Sequence, residues 1–404
     1  MITRRAAIAS GLATAGAALT RRAGAADTPG VAATEIKIGN TMPYSGPNSA
    51  YAPIGKTDAA YFAWLNSQGG VGGRKINFIS LDDGYSPPKT VELVRRLVEQ
   101  ERVDFLFNTL GTPTNSAIER YCNQHKMPQL FVATGADKWG NHKDFPWTIG
   151  LQPSYRTEAQ IYTKYILENK PNAKIAVLYQ NDDFGKDYLV GIRDILDKDW
   201  GKYVIQTVSF EVTDPTIDSQ VASLQSSGAD TFICAAGPKA AAQTIRRVHE
   251  VGWHPLFFMS NVSISVGAVM KPAGEEAGRG IITSGYLKDA TDPEWNEDPG
   301  MNEWRDFMAK QMPGVDLTDN NYVYAWLASR VMHHVLEQCG GNFARDNVMK
   351  QATSINNLEV PVLLPGIKVS TSPTNYHPIR AMQLQKWDGT KWVRFGKVIE
   401  GASV

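Results

Sequence analysis

Short apolar runs alternate with amphipathic stretches along most of this chain, and polar turns separate them. The first run, EIKIGNTM (35–42), leads through a polar turn into the amphipathic stretch KTDAAYFAWLNSQGG (56–70). Later runs repeat the pattern: KINFISLDD (75–83), VDFLFNTL (103–110), QLFVA (129–133), KIAVLYQ (174–180), TFICAA (231–236) and PLFFMS (255–260). Apolar strands that alternate with amphipathic helices are typical of parallel sheets covered on both faces. The pattern therefore predicts an α/β fold with doubly wound parallel sheets.

Two passages in the pattern indicate that the chain crosses between two lobes. PWTIGLQPSYRTEAQ (146–160) is followed by a new series of strands, and GIITSGYLKDATDPEW (280–295) leads into a Trp-rich helical region. The tail differs, because RAMQLQKW and KWVRFGKV flank Asp388-Gly389. Alternating strands around an Asp-Gly turn predict a C-terminal β-hairpin.

The first 26 residues, MITRRAAIASGLATAGAALTRRAGAA, have the layout of an export signal: a charged start, an uncharged run and small residues before a cleavage site at 23–25. The uncharged run of about 15 residues is shorter than the roughly 20 that a membrane-spanning helix needs. The adjacent Arg4 and Arg5 favour the twin-arginine route, with an ordinary secretion signal as the alternative. Either signal predicts a mature protein that works in the periplasm, without cytoplasmic ATP or NADH.

The charge composition of the chain limits the kinds of molecule that it is suited to bind. The chain has 41 basic and 41 acidic residues, and removal of the four signal arginines leaves a net charge of about −4. A mildly acidic protein is a poor partner for nucleic acid or anionic membrane. No later segment is long and apolar enough to span a bilayer, so we expect about 378 mature residues to form a monomer of two domains without direct membrane insertion.

The three cysteines, Cys122, Cys234 and Cys339, are far apart and form no CxxC motif. The apolar patterns around Cys122 and Cys234 predict buried free thiols, although one disulfide remains an alternative in an oxidising compartment.

Hydroxyl-rich loops follow two predicted strands. Gly111-Thr112-Pro113-Thr114-Asn115-Ser116 comes after VDFLFNTL, and Thr134-Gly135-Ala136-Asp137 comes after QLFVA. Ligands of parallel α/β sheets bind beyond the carboxyl ends of the strands, where helix N-termini attract anions. These loops therefore predict a carboxylate or other anion site, and simple capping of a helix by the hydroxyls is the alternative.

A third loop, Asn181-Asp182-Asp183-Phe184-Gly185, offers two carboxylates and an aromatic ring. The aspartates are candidates either for a helix cap or for ligand contact. Phe184 lies in a polar turn, where neither core needs it, and is a stronger candidate for a ligand contact. Tyr44, Tyr51 and Tyr155 lie in similar segments between elements and are candidates to line an apolar cleft.

The sequence lacks the common motifs of an enzyme, a cofactor site or a metal site. Gly55-Lys56-Thr57 resembles the end of a phosphate loop, but the earlier glycine that the motif requires is Ala50. The chain has no GxGxxG after a strand, no GxSxG, no HExxH and no cluster of ligands at metal spacing. We therefore expect a protein that is not an enzyme and that uses neither cofactor nor metal.

Four segments resemble periplasmic substrate-binding proteins of ABC importers, of the branched-chain amino-acid type with the type I binding-protein fold. They are IKIGNTMPYSGPNSAY, LNSQGGVGGRKINFISLDDGYSP, VLYQNDDFGKDYLVG and GADTFICAAGPKAAAQTIRRVHEVGW. The resemblance runs from about residue 35 to the C-terminus. It implies two α/β lobes joined by three crossovers, an N-terminal lobe of 35–152 plus 286–362 and a C-terminal lobe of 153–285 plus 363–404. It also implies two membrane permease subunits with two cytoplasmic ATPases as partners.

The resemblance assigns roles to residues of this chain. Loops of the first lobe hold the ligand carboxylate, and they match Gly111-Thr112 and Thr134-Gly135-Ala136. The aromatic residue that covers the ligand matches Phe184. Gly237, which directly follows the predicted strand TFICAA, is a further candidate ligand-binding residue.

The sequence departs from the family pattern where an acidic residue holds the ligand ammonium, because Ser260-Asn261 stand there. An unpaired ammonium in a closed cleft is costly, whereas the Asn261 amide can pair with a hydroxyl or a carbonyl. The departure predicts a small carboxylate without an α-ammonium, for example an aromatic acid such as a benzoate derivative. An aliphatic or aromatic amino acid is the competitor, with Asp182 or Asp183 supplying the charge.

Three classes of function use these residues. The first is a solute-binding protein whose lobes close over the ligand and deliver it to a permease. The second is the ligand-binding subunit of an extracytoplasmic sensor, which uses the same cleft. The third, a hydrolase acting through Asp182 and Asp183, is disfavoured because no other catalytic motif accompanies them.

Overall fold

The computed structural model describes residue 32 and residues 34–401. The predicted export signal, 1–26, lies outside the described residues. Within them no helix combines the length and the apolar character that a membrane crossing requires.

Thirteen strands form between residues 34 and 401, and most of them coincide with the predicted apolar runs. Their bounds are β1 Glu35–Met42, β2 Lys75–Asp82, β3 Phe105–Phe107, β4 Gln129–Val132, β5 Thr148–Gly150, β6 Ile175–Gln180, β7 Val204–Phe210, β8 Thr231–Ala235, β9 Leu256–Met259, β10 Ile282–Gly285, β11 Ala381–Trp387, β12 Trp392–Arg394 and β13 Ile399–Glu400. Strand β7 was not predicted. It lies at a sheet edge and has exposed polar positions, so it lacks a continuous apolar run.

The strands form two sheets. The first has five strands in the order β2-β1-β3-β4-β5, all in parallel pairs. The second has the order β12-β11-β10-β9-β8-β6-β7, with β13 paired to β11. Its β6 to β10 pairs are parallel, and the tail strands are antiparallel. The predicted α/β fold with parallel sheets and a C-terminal hairpin is confirmed.

Twelve α-helices cover the sheets in the described residues. Their bounds are α1 Ala52–Ser67, α2 Pro87–Arg95, α3 Thr112–Gln124, α4 Tyr155–Asn169, α5 Asp183–Leu196, α6 Trp200–Tyr203, α7 Asp218–Ser226, α8 Pro238–Glu250, α9 Lys271–Ala273, α10 Pro299–Gln311, α11 Asn321–Gln338 and α12 Arg345–Ala352.

A side-chain cap fixes the first turn of helices α4 and α5. Ser154 accepts a hydrogen bond from the Thr157 amide at the start of α4, and Asp182 accepts one from the Gly185 amide at the start of α5. Tyr155 and Phe184 are therefore held in ordered first turns of helices.

The chain passes between the sheets near the predicted crossovers. Strand β5 belongs to the first sheet and β6 to the second, while β10 ends the parallel part of the second sheet before α10 and α11. The segment 363–379 contacts residues of the first lobe, through the bridges Leu287 to Leu363 and Leu358 to Val369. We therefore propose a third crossover near residue 380, beyond the predicted position at 363.

Buried strands and buried cysteines mark the cores of both sheets. Strands β3, β4 and β8 are buried along their whole lengths, as strands covered on both faces must be. Cys122, Cys234 and Cys339 are buried free thiols. The prediction of free thiols is confirmed, and none of the three is available for a disulfide in this conformation.

Candidate ligand-binding cleft

A cavity lies between the two sheets, at the carboxyl ends of their strands. Residues that follow β1 to β5 form one wall together with the start of α11, and residues that follow β6, β8, β9 and β10 form the other. About 760 Å³ of this space is free of protein atoms, open solvent at its mouth included. This is the position at which parallel α/β sheets bind ligands, because loops and helix N-termini converge there.

No lining residue of this cavity carries a charged side chain. Six are aromatic: Tyr51, Tyr85, Tyr155, Phe184, Tyr286 and Tyr324. Nine have amide or hydroxyl side chains: Asn48, Thr112, Thr134, Gln152, Gln180, Asn261, Ser265, Asn320 and Asn321. The others are glycine or aliphatic: Ile54, Leu110, Gly111, Ala133, Gly237, Val262, Ile264 and Leu287. The cavity therefore offers aromatic surface and neutral hydrogen-bonding groups.

The N-terminus of α3 opens onto the cleft. Gly111 precedes it with φ of 102°, a conformation that glycine adopts readily. The Thr112 Oγ1 and Thr134 Oγ1 atoms lie 2.5 Å apart, so the two loops meet through their hydroxyls. Among residues 34–401 no group accepts from the Thr112 amide. Free N–H groups, the helix dipole and two hydroxyls together form a cradle suited to an anion.

The alternative that these hydroxyls cap α3 does not hold. Thr114 Oγ1 donates to the carbonyl of Leu110 at 2.5 Å, and Ser116 Oγ donates to Asp183 at 3.3 Å. No side chain accepts from the first amides of α3. The helix terminus is therefore left open towards the cavity.

Aromatic rings form one face of the cleft. The Phe184 ring is 4% exposed, and its centroid lies 4.6 Å from that of Tyr155. Burial raises the pKa of every cleft tyrosine, so the phenols stay neutral and can donate hydrogen bonds at neutral pH. Within the described chain the Tyr286 hydroxyl has no protein partner, which leaves it free for a ligand.

Asn261 follows β9 and lies against a buried carboxylate. Its main-chain N–H donates to Glu158 Oε1 at 3.0 Å, and its Nδ2 donates to Glu158 Oε2 at 2.8 Å. Glu158 is fully buried and also accepts from Ser284, Tyr162 and Tyr188. Burial raises the pKa of Glu158, and these hydrogen bonds act in the opposite direction. Glu158 itself does not line the cavity.

Direct contacts join the two walls, so the cleft is closed. Ser265 Oγ donates to Asp319 Oδ1 at 2.9 Å, and the Gly267 amide donates to the Thr318 carbonyl at 3.0 Å. The Tyr51 hydroxyl reaches the Val262 carbonyl at 3.3 Å.

Eight predicted ligand-binding residues line the cavity together: Tyr51, Gly111, Thr112, Thr134, Tyr155, Phe184, Gly237 and Asn261. Their contact with a ligand stays a prediction, but the structure brings them to one place.

Four predicted residues do not line it. The Tyr44 hydroxyl turns away to Ser80, 2.6 Å distant, beside β1. The Gly135 carbonyl accepts from the Tyr155 amide, and Ala136 is buried behind the loop. Asp182 caps α5 and accepts from Gln180 Nε2 at 2.6 Å, so it stands behind a neutral lining residue.

Several lining residues were missed by the sequence reasoning. Tyr85 closely follows the predicted strand 75–83, so the strand-end rule that selected Thr112 would have found it too. Tyr286 follows β10, in a segment that was predicted only as a passage between the lobes. Tyr324 lies within the long helix α11 and Asn320 directly before it, where no local pattern distinguishes them from core or surface positions.

No group of three or more His, Cys, Asp or Glu residues capable of holding a metal ion occurs within residues 34–401.

Comparisons with known proteins agree with this fold. A Leu/Ile/Val-binding protein homolog from Brucella melitensis is 23% identical over 233 residues, which are 55% of this chain and 60% of that protein. The match thus spans about three fifths of that relative's length.

Solved structures match over most of their length. A branched-chain amino-acid ABC transporter protein from Thermus thermophilus, with bound valine, has a TM-score of 0.82 at 14% identity, covering 91% of this chain and 97% of that one. An ABC transporter solute-binding protein from R. palustris, in complex with benzoate, has a TM-score of 0.74 at 22% identity, covering 92% and 99%. These neighbours show the type I periplasmic binding protein fold.

The family model described as "Periplasmic binding protein" matches residues 35–391. This is a family of substrate-binding proteins, which confirms the prediction that the protein is not an enzyme. The chain belongs to the periplasmic binding protein family, as its resemblance to the branched-chain amino-acid type predicted.

Proposed function

We propose that this protein captures a small carboxylate without an α-ammonium, outside the cytoplasm, and delivers it to an ABC importer. The observation that carries the proposal is the absence of any charged side chain among the residues that line the cleft.

An amino acid fits this lining poorly. Its ammonium would lose water on closure and find no carboxylate, which costs several kcal/mol, roughly 2–7 for even a neutral polar group. Asp182 is engaged with Gln180 and the start of α5. Asp183 is half exposed and faces Lys138 at 3.5 Å. Neither supplies the missing charge at the cavity surface.

A carboxylate fits this lining well, because the cavity offers hydrogen-bond donors that can stabilise a negative charge. The free Thr112 amide, the two threonine hydroxyls and the positive end of α3 stabilise a negative charge without a cation. Periplasmic binding of anions through neutral donors is therefore compatible with a cleft that holds no lysine or arginine.

The aromatic lining favours a flat apolar body on that carboxylate. Rings pack best against rings in tilted or edge-to-face arrangements, of the kind that Tyr155 and Phe184 already make. A benzoate derivative satisfies both requirements, and the R. palustris neighbour with benzoate supports this choice. The valine bound to the T. thermophilus neighbour and the names of the curated relatives support an amino acid instead, but the uncharged lining outweighs them.

Capture occurs by hinge closure in this proposal. Contacts from both walls to the ligand favour the closed state, which permease subunits with cytoplasmic ATPases recognise. The protein acts as a monomer in the periplasm, exported by the twin-arginine route.

Mass spectrometry of the ligand that co-purifies with the native protein tests the proposal. The protein is purified without denaturant, washed and then unfolded to release its ligand. We expect an organic acid without an amino group. Recovery of an amino acid in stoichiometric amount would contradict the proposal.

A further inference from the structure

Glu158 fixes the orientation of the Asn261 side-chain amide. Glu158 receives the Asn261 main-chain N–H on one oxygen and Nδ2 on the other. A carboxylate only accepts hydrogen bonds, so the amide nitrogen must point at Glu158. The amide oxygen then points away from it, towards the cavity that Asn261 lines.

Glu158 is fully occupied in this arrangement. Its Oε1 accepts from Ser284 Oγ at 2.7 Å and from Tyr162, besides the Asn261 amide, and its Oε2 accepts from Tyr188 and Asn261 Nδ2. Five donors leave the carboxylate no need of a ligand, and its side chain is completely buried. Glu158 therefore acts on the cleft only through Asn261, as a positioning residue.

The Asn261 oxygen is left without a protein donor. Within residues 34–401 no hydrogen bond reaches Oδ1, although the residue is only 6% exposed. A polar atom left unpaired in a closed cleft weakens binding, and a site built around such an atom discriminates strongly against ligands that lack its partner.

We infer that Asn261 makes the cleft specific for a carboxylate that also carries a neutral hydrogen-bond donor, such as a hydroxybenzoate. This inference rests on the proposed function and narrows its substrate class. The donor is a hydroxyl rather than an ammonium because no charged side chain lines the cavity.

Titration calorimetry with matched ligands tests the inference. The panel contains benzoate, the three monohydroxybenzoates and the three corresponding methoxybenzoates, in which the oxygen remains but its hydrogen is lost. We expect at least one hydroxybenzoate to bind 10-fold or more tightly than both benzoate and its methoxy counterpart. Equal binding of benzoate and all hydroxybenzoates overturns the inference but leaves the proposed function intact. Failure of every acid in the panel to bind overturns the proposed function and this inference with it.

Two leucine variants locate the acceptor. Asn261→Leu removes the oxygen at nearly constant volume, so the preference for the hydroxyl should fall below 3-fold while benzoate still binds. Asn320→Leu is the matched control, since Asn320 Oδ1 is also buried without a protein partner at this cavity. Loss of the preference in Asn320→Leu and its retention in Asn261→Leu would overturn the inference.

Glu158→Gln tests the positioning role. The amide nitrogen of Gln should take the Oε2 position, because fewer donors point at Oε2 than at Oε1. Its NH2 group then faces Asn261. The Asn261 amide should therefore turn its oxygen towards this NH2 group and its nitrogen towards the ligand. The preference should then invert, with a methoxybenzoate binding at least as tightly as its hydroxy counterpart. A folded Glu158→Gln variant that keeps the wild-type preference would contradict the role of Glu158. If this variant does not fold, the leucine pair decides the inference alone.

Discussion

The side-chain oxygens of Thr112 and Thr134 lie 2.5 Å apart, although the two residues follow different strands of the first sheet. One hydroxyl donates to the other, so one hydroxyl hydrogen remains free beside the Thr112 amide. The pair joins the loops after β3 and β4 into a single surface at the positive end of α3.

Removal of one hydroxyl from this pair should weaken carboxylate binding. Thr134→Val keeps the side-chain shape but loses a hydrogen bond to a charged group, a loss of about 2 kcal/mol or roughly 30-fold in Kd. Calorimetry with a bound benzoate derivative measures the change. Thr114→Val is the control, because the Thr114 hydroxyl donates only to the carbonyls of Leu110 and Gly111. Equal losses in the two variants would show that the Thr112–Thr134 pair does not hold the carboxylate.

Gly111 should tolerate no side chain. A Cβ there would lie 2.5 Å from Tyr85 Cε2 and 2.6 Å from Thr114 Oγ1, in addition to the cost of a positive φ, about 1–3 kcal/mol. Gly69→Ala is a matched control, since Gly69 has φ of 105° and no atom within 4 Å of an added Cβ. We expect Gly111→Ala to lower the melting temperature more than Gly69→Ala does and to abolish binding. Identical melting temperatures and unchanged affinity in both variants would be inconsistent with the geometry.

The fold could be predicted from the sequence because its strands are buried on both faces. Strands β4 and β8 are buried at every position and mostly apolar, so they stand out in the sequence from the polar turns that follow them. The position of the anion cradle followed from the same pattern, because the loops that contain Thr112 and Thr134 come directly after such strands.

Phe184 should discriminate between aromatic and aliphatic acids. Phe184→Leu preserves an apolar surface but removes the ring contact, so affinity for benzoate should fall 2- to 10-fold, about 0.5–1.5 kcal/mol. Affinity for cyclohexanecarboxylate should change little, and it serves as the internal control. A parallel loss for both ligands, measured by calorimetry, would indicate that Phe184 only supports Tyr155 and Tyr188.

Ligand affinity should decrease as the pH rises through 7. Asp187 on α5 accepts from the Asp137 amide of the opposite wall at 2.7 Å, and burial raises its pKa to about 7. The hydrogen bond from the Asp137 amide lowers this pKa, the charges of Asp137 and Asp183 raise it, and Arg156 lowers it. When the lobes open, solvation returns the carboxyl to its ordinary pKa, so the closed state binds the proton more tightly. Closure is then favoured below pH 7, and this contribution is lost above it.

The expected change is about 10-fold in Kd between pH 6 and pH 8, because binding changes by up to 10-fold per pH unit below the closed-state pKa of about 7 and hardly changes above it. A benzoate stays ionised throughout this range and does not contribute. Asp187→Asn keeps an acceptor for the Asp137 amide and should flatten the profile. A wild-type Kd that is constant with pH would exclude the linkage.

The remaining site residues could not be predicted because they depend on the packing of segments that are distant in sequence. Tyr324 comes from the interior of α11, and Asn320 becomes a lining residue only through the packing of α11 against α1. Asp182 was an ambiguous candidate because capping and ligand contact require the same residue type. The hydrogen bond from Gln180, seen only in the structure, shows that Asp182 is engaged within the protein.

Direct titration of the wild-type protein with two ligand sets tests the central claim. One set contains benzoate and its hydroxy derivatives, and the other contains leucine, isoleucine, valine and phenylalanine, all at one pH and ionic strength. The uncharged cleft predicts saturable binding of at least one aromatic acid and no measurable heat from the amino acids. Tight binding of an amino acid, with no response to any aromatic acid, would contradict the account.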